Sequence, residues 1–471
     1  MKTYQIFIIS CTLITATITT SAQSSRVITD EVKDSIIARY NRNDLTGIYL
    51  LADTAFSNNI TEQQLTGFLR GNRNSGNVLK SSFQSEVNGK YTYLLECESR
   101  DIKMNLQATS DRKFEGFGLS NVSQVFLDAP KNIKTDNPLK TQFDLSVDTL
   151  VREYFRNPHA EALSIGIIRN GKRYIFNYGE VENGTGNLPV AKTLYEIGSI
   201  TKTFTTTLLA QAVLENKVAL NDDIRQYLSG DYTNLSFNGK PITLQDLANH
   251  TSRLPGLPDN IGDQAGFNPL NPEKYYDSAM YYAALHKVKI DTLPGYKYSY
   301  SNWGISILGS ILEGVYHKSY AYLLKKYITG PFKMKNTYYE LTASVRKDMA
   351  LPYSENGQQM PFQDEDMFGP AGNIHATLND MVNYLYEQII EIRPVVKLTH
   401  QPTVGNVGLG WGVKSNGTYR DIQHNGSTIG STSHLSAFPE LNSGCIILTN
   451  SKTNLGKLII GIQQIARRKY F

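Results

Sequence analysis

Apolar residues recur at Val27, Val32, Ile36 and Tyr40, a spacing that lines one side of a helix. Thr61-Glu62-Gln63-Gln64 ahead of Leu65, Phe68 and Leu69 reads as a capping box that opens a second helix. The period then changes to two in Tyr91-Thr92-Tyr93-Leu94-Leu95, after Asn88-Gly89, and in Ile102-Lys103-Met104-Asn105-Leu106, with Ser110-Asp111-Arg112-Lys113 as the next turn. Residues 23–127 are therefore expected to form a helix pair plus an antiparallel meander. Residues 128–142 are polar, contain Pro130 and Pro138, and have the composition of a linker.

Beyond it Phe143 to Phe155 reads helical, and Leu163 to Ile168 with Tyr174-Ile175-Phe176 flank the hairpin signal Asn170-Gly171. Strand-like runs follow at 407–415, 418–423, 432–438 and 443–449, then a helical pattern through Leu458, Ile459, Ile462 and Ile465. The economical arrangement for residues 143–471 is one antiparallel sheet assembled from both ends of the block and flanked by helices. Residues 199–390 would supply a helical subdomain. The fold class is α/β (α+β), preceded by a small α+β domain.

At the start, Lys2 precedes the apolar run Ile6-Phe7-Ile8-Ile9, which continues through Leu13-Ile14 to small residues at Thr20-Ser21-Ala22. Residues 1–22 read as a cleaved secretory signal. The run is too short and too rich in threonine for a permanent anchor, and too brief before Cys11 for a lipoprotein signal. A periplasmic or extracellular location, with no stable membrane insertion after cleavage, is the expectation. The 471 residues suffice for two or three cores, and 47 Lys+Arg against 43 Asp+Glu, in no basic block, leave no footprint for nucleic acid. Three cysteines, of which Cys97 and Cys445 lie outside the leader, allow at most one bridge.

Ser-x-x-Lys on a helix puts a hydroxyl and an amine on one face, as nucleophilic catalysis requires. The spacing occurs at Ser110–Lys113, Ser199–Lys202 and Ser344–Lys347, and only Ser199 opens an apolar helix, with Phe204, Leu208, Leu209, Ala212 and Val213 at helical spacing. A hydroxyl at a helix N-terminus has the dipole favouring developing negative charge and disfavouring a charged Lys202, which suits that amine to act as a base. Tyr300-Ser301-Asn302 precedes a buried helix pattern at Ile305, Ile307, Leu308, Ile311 and Leu312, whereas its repeat Tyr232-Thr233-Asn234 sits in polar sequence. His424-Asn425-Gly426-Ser427 follows at the end of a strand-like run.

These residues, with Tyr195-Glu196-Ile197-Gly198, Leu247 through Pro255, Gly369-Pro370-Ala371-Gly372-Asn373 and Gly408-Leu409-Gly410-Trp411-Gly412, resemble the class C β-lactamase-like serine hydrolases of the serine β-lactamase/penicillin-binding-protein superfamily. The resemblance covers residues 143–471 and implies a serine β-lactamase/DD-peptidase-like fold. It implies Ser199 as acylated nucleophile, Lys202 and Tyr300 as proton-relay pair, Asn302 as substrate-orienting side chain, and the Ser199 and Ser427 N–H groups, beside Gly426, as oxyanion hole. His424 is counted with Ser199, Lys202 and Tyr300 as a candidate catalytic residue, and it stands where β-lactamases of the family usually carry Lys, which weakens a β-lactamase assignment because histidine is largely neutral at pH 7. Arg253 stands where relatives show Gly, leaving that turn open.

The first block resembles cystatin-like or NTF2-like domains in element order alone. His250 reads as a buttress of the turn after its helix. His375 and His434 have no metal-ligand spacing, glycines 408, 410 and 412 do not form a phosphate loop, and Tyr275, Tyr276, Tyr281 and Tyr282 read as surface and core aromatics. No metal or cofactor is assigned. The expected function is a secreted serine hydrolase acting on an ester or a peptide or amide bond, including one with a D-residue. The alternatives are a penicillin-binding scaffold or a true β-lactamase, and the expected partner is a small-molecule or peptide substrate.

Overall fold

The structure, a computed structural model, describes residues 10–123, 125–363 and 365–468, without the side chains of residues 10–24. The leader's apolar run Ile6 to Ile9 and the Cys11 side chain lie outside the described residues. Among the described residues no helix is long and apolar enough to cross a membrane. The chain divides into two compact units, residues 1–124 and 125–471.

In the first unit α1 (Ser10–Asn41) buries Val32, Ile36 and Tyr40, while Val27 stays 54% exposed, so the apolar face begins later than its spacing suggests. Thr61 caps α2 (Glu62–Asn72): its hydroxyl accepts from the Gln64 N–H, and the Gln64 side chain accepts from the Thr61 N–H. Strands β1 (Val78–Val87), β2 (Lys90–Cys97), β3 (Ile102–Ala108) and β4 (Phe114–Asn121) pair antiparallel in chain order. β2 and β3 alternate as expected, burying Tyr91, Tyr93, Leu95, Ile102, Met104 and Leu106. β1 carries no alternation because most of it faces solvent, and glycines dilute β4, so neither announces itself.

The second unit opens with α3 (Gln142–Tyr154), β5 (Leu163–Arg169), β6 (Lys172–Tyr178) and β7 (Leu194–Glu196). The helical middle holds α4 (Thr201–Leu214), α5 (Asn302–Tyr316) and α6 (Leu378–Ile390), and Thr337–Tyr338 (β8) and His375–Thr377 (β9) join β7 in a small sheet. Then come β10 (Gly412–Ser415), β11 (Arg420–Ser427), β12 (Thr432–Phe438), β13 (Ser443–Thr449) and α7 (Gly456–Arg467). The main sheet runs β10-β11-β12-β13-β5-β6, all antiparallel, so both ends of the unit do build it. β13 is buried on both faces: Cys445 and Ile447 pack with α3 and α7, while Ile446 and Leu448 join the core around α4, α5 and α6. That double burial explains its unbroken apolar run. Only 412–415 of the strand-like run 407–415 is strand, because Gly410, at a φ of +73°, turns its N–H to Ala248 O and packs on Thr206 of α4. The second run extends past 423 to Ser427.

Residues 128–142 are not a solvated tether. Lys131 N–H donates to Phe155 O, Thr135 bridges Tyr178, and Asn137 Nδ2 donates to Asp144 O and the Tyr178 hydroxyl. Their polar side chains are used on the second unit's backbone. Cys97 belongs to the core of the first unit and Cys445 to that of the second. A chain beginning at Val125 should melt in one cooperative transition, and one beginning at Phe143 several degrees lower, since each lost internal hydrogen bond costs about 1 kcal/mol. Equal melting temperatures by calorimetry would show the segment to be idle.

Candidate active site

β7 leads to Gly198, whose φ of +51° starts the single turn Gly198–Ile200 that runs straight into α4. Ser199 lies in that turn, at the N-terminal end of the helix. Two glycines let the turn lie flat on β11: a Cβ on residue 198 would come within 2.7 Å of Ser427 N, and one on residue 426 within 1.9 Å of Ile197 O. Ser433 Oγ donates to the same Ile197 carbonyl at 2.8 Å. The Ser199 and Ser427 backbones are thereby held side by side, which two N–H groups need if they are to share one oxyanion.

Lys202, on the first turn of α4, is fully buried. Its Nζ donates to Ser199 Oγ at 2.9 Å and to Ala371 O at 2.7 Å. The Tyr300 hydroxyl donates to Ser199 Oγ at 2.8 Å, and the Tyr300 ring centroid lies 4.9 Å from Lys202 Nζ. Tyr300 is 41% exposed, so one oxygen meets a buried partner on one side and an open one on the other. Asn302 begins α5, and its buried Oδ1 has no hydrogen-bond partner among the described residues. Ser301 caps that helix through the Gly304 N–H.

His424 lies on β11, and its Nδ1–H donates to Asn425 O at 2.6 Å. Among the described residues it makes no hydrogen bond to Ser199, Lys202 or Tyr300. Burial first, then the Lys202 charge, push its pKa down to about 4, so the ring is neutral at pH 7. Ser199, Lys202 and Tyr300 thus form one hydrogen-bonded set, Gly426 and Ser427 its floor, and His424 a neutral neighbour.

Two residues to which the sequence motifs give no role also take part. Lys452, after β13, donates through Nζ to Thr428 O at 2.7 Å and to Ser427 Oγ, bringing an ammonium to the strand end. Glu196 accepts from Thr428 Oγ1 at 2.8 Å, Ser431 Oγ at 3.1 Å and the Gln363 N–H at 2.7 Å, clamping the turn after β11 to the strand before Ser199. A carboxylate inside the apolar run Leu194-Tyr195-Glu196-Ile197 was the available signal for Glu196; Lys452 had none. Arg253, at a φ of +67°, is held by a two-point ion pair to Asp291 at 2.7 and 2.8 Å, which answers how a non-glycine fits that turn.

The competing copies lie elsewhere. Ser110 sits in the β3–β4 turn and Ser344 is exposed on the short helix Ala343–Arg346. Tyr232 stacks on His286 at 4.1 Å, and Asn234 Nδ2 donates to Leu285 O and Val288 O. Tyr276 and Tyr281 are buried against Phe368.

Among solved structures the fold is similar to a class C β-lactamase at a TM-score of 0.62 and 20% identity, covering 71% of this chain and 99% of that one. It is also similar to a D-alanine carboxypeptidase AmpC from Burkholderia cenocepacia, at a TM-score of 0.59 and 21% identity, covering 69% and 98%. A family model described as Beta-lactamase matches residues 147–467, and the chain belongs to that family. Curated relatives include a β-lactamase of Providencia stuartii, 27% identical over 56% of this chain and 64% of that protein. Another is the D-alanyl-D-alanine-carboxypeptidase/endopeptidase AmpH of Escherichia coli, 28% identical over 52% and 61%. The chain spans less than two thirds of the length of each.

Burial also holds His434 at a pKa of about 4. An unfolded histidine takes its proton near 6.5, so between about 6.5 and 4 the unfolded state binds protons that folded His424 and His434 refuse. Stability from these rings is complete above 6.5 and lost as pH falls towards 4. The melting temperature should drop over that window, and His434→Gln should flatten the drop; a variant with an unchanged pH slope would contradict it.

Proposed function

We propose that this chain is an exported serine hydrolase that is acylated at Ser199 and cleaves a peptide or amide bond, including one to a D-residue, or an ester. The observation that carries the reading is the placing of Lys202 Nζ and Tyr300 Oη within 2.9 Å of Ser199 Oγ. In the reactive state the Lys202/Tyr300 pair holds one proton fewer than an ammonium plus a phenol, so that as Ser199 Oγ attacks the substrate carbonyl carbon its proton passes to the pair. The carbonyl oxygen, now negative, takes the Ser199 and Ser427 N–H groups. As the carbonyl re-forms, the bond to the leaving group breaks, and the leaving nitrogen or oxygen takes the proton back. Tyr300 makes that delivery, because Lys202 is fully buried and Tyr300 is partly exposed. Water then adds to the acyl-enzyme ester and gives its proton to the same pair, and the bond from Ser199 Oγ to the acyl carbon breaks as Oγ takes that proton back, releasing the acid and regenerating Ser199.

The buried, unpartnered Asn302 Oδ1 supports a substrate with an N–H to donate beside the scissile carbonyl. The relative named for D-alanyl-D-alanine carboxypeptidase/endopeptidase activity fits the same preference. Lys452 adds a cation for a substrate carboxylate. The leader reading takes this chemistry outside the cytoplasm, which N-terminal sequencing of the mature chain, expected to begin at Gln23, would check.

Ser199→Ala should abolish both the covalent adduct with a fluorophosphonate, read by intact mass, and turnover, with folding unchanged. Tyr300→Phe should lower turnover roughly 10²–10⁴-fold, the usual worth of general acid–base help. Adduct formation surviving Ser199→Ala would sink the reading.

Lys452→Gln should raise KM about 10-fold or more for a peptide ending in a free carboxylate, the worth of a hydrogen bond to a charged group, and leave its amidated counterpart unchanged. Equal effects on the two peptides would remove Lys452 from substrate recognition.

A further inference from the structure

We propose that His250 is a positioning residue for Tyr300, setting the phenol on Ser199 Oγ by fixing the backbone on either side of it. The inference rests on Tyr300 serving in the proton relay.

The short helix Leu244–Ala248 ends in a turn where His250 takes a φ of +61°, a conformation uncommon for a residue with a side chain. The turn is locked on its own side: Thr251 N–H donates to Asp246 O, and Thr251 Oγ1 donates to Asp246 Oδ1. Held this way, His250 offers two acceptors to the facing segment. Its carbonyl takes the Ser299 N–H at 2.7 Å, and its Nδ1 takes the Ser301 N–H at 3.2 Å. The two bonds bracket Tyr300, one residue before it and one after. The imidazole also lies against the ring it brackets, 4.5 Å between centroids and tilted 32°, with Tyr298 edge-on at 5.7 Å.

The segment is anchored further out, by Gly295 N–H donating to Thr251 O at 3.0 Å and by Ser301 Oγ donating to Pro255 O at 2.6 Å, and His250 supplies the two main-chain bonds that flank Tyr300 itself. Between those anchors residues 296–300 are irregular in conformation, and Tyr296, Tyr298 and Tyr300 are 73%, 47% and 41% exposed. A phenol whose hydroxyl must sit 2.8 Å from Ser199 Oγ needs its main chain placed, since about 1 Å of misplacement can cost 10²-fold in rate.

The acceptor role requires a bare Nδ1, so the neutral ring carries its proton on Nε2. The groups facing the ring are Lys202 of α4, His424 of β11 and the two tyrosines, with Asp246 on its own helix already taken by Thr243 and Thr251. Burial first, then the Lys202 charge, holds the imidazole neutral.

The test measures kcat and KM on a small ester with full-length His250→Gly, His250→Asn, Tyr300→Phe and the Gly/Phe pair. Glycine accepts the left-handed backbone without strain and removes the side-chain acceptor, whereas asparagine tolerates the same backbone and sets Oδ1 where Nδ1 stood. His250→Gly should lose about 10- to 100-fold in kcat, with KM within about 3-fold, and His250→Asn should recover most of that loss. The pair should be no slower than Tyr300→Phe alone, because a residue acting through Tyr300 has nothing further to remove.

A glycine variant with parental kcat beside a slow Tyr300→Phe, an asparagine variant as slow as glycine, or multiplicative losses in the pair would each overturn the proposal. Tyr300→Phe as fast as the parent would overturn the relay, and this proposal with it. If the glycine variant shows no cooperative thermal transition, His250→Gln, whose amide sits too far out to replace Nδ1, is measured in its place against the same outcomes.

Discussion

The site depends on one close approach, the contact between the main chain at Ile197–Ser199 and that at Gly426–Ser427. No side chain fits between them: the missing Cβ atoms at 198 and 426 would fall 2.7 Å and 1.9 Å from backbone atoms of the other segment. Two stretches more than 220 residues apart in sequence are thus joined backbone to backbone, and Ser433 fixes the seam from a third strand. The position of Ser199, the direction of α4 and the placing of Ser199 beside Ser427 all follow from that seam.

α4 is the other face of the same constraint. It is buried on every side from Thr201 to Ala210, so its threonines cannot face solvent and must find partners within the protein. Thr205 Oγ1 donates to Pro370 O, Thr206 Oγ1 to Leu409 O, Thr203 shares a hydrogen bond with Tyr384, and Thr201 Oγ1 accepts the Ile374 N–H. These bonds tie the helix to the Gly369–Gly372 and Gly408–Gly412 phrases. Both phrases therefore serve the helix that carries Lys202, and Ala371 serves Lys202 directly.

What could be read from sequence was whatever is written locally. Ser199 and Lys202 are three residues apart on a helix whose apolar pattern is plain, and Tyr300 abuts another such helix. The β5–β6 hairpin and β13 carry their own turn signal and apolar run. Backbone acceptors such as Ala371 O, 169 residues from Lys202, have no residue type to betray them. Glu196 meets Thr428 across 232 residues, a contact that only the closed sheet creates. β1 was hidden because an exposed edge strand need not alternate, and residues 128–142 looked like a tether because their polar groups bind backbone rather than water.

Charge at the site is divided between two lysines in different settings. Lys202 is buried and bonded to Ser199, while Lys452 reaches Ser427 Oγ and Thr428 O from the connection after β13. A lysine in place of His424 would set a second cation in the field of Lys202, and like charges in a poorly solvated site disfavour each other. The neutral imidazole avoids that repulsion, and the positive charge sits instead on a side chain bonded to the strand end and outside the Ser199 hydrogen-bond set. Under the proposed function, proton transfer and attraction of an anionic substrate would rest on separate elements, so that a change at residue 452 would alter the substrate's charge preference without touching the hydrogen bonds on Ser199.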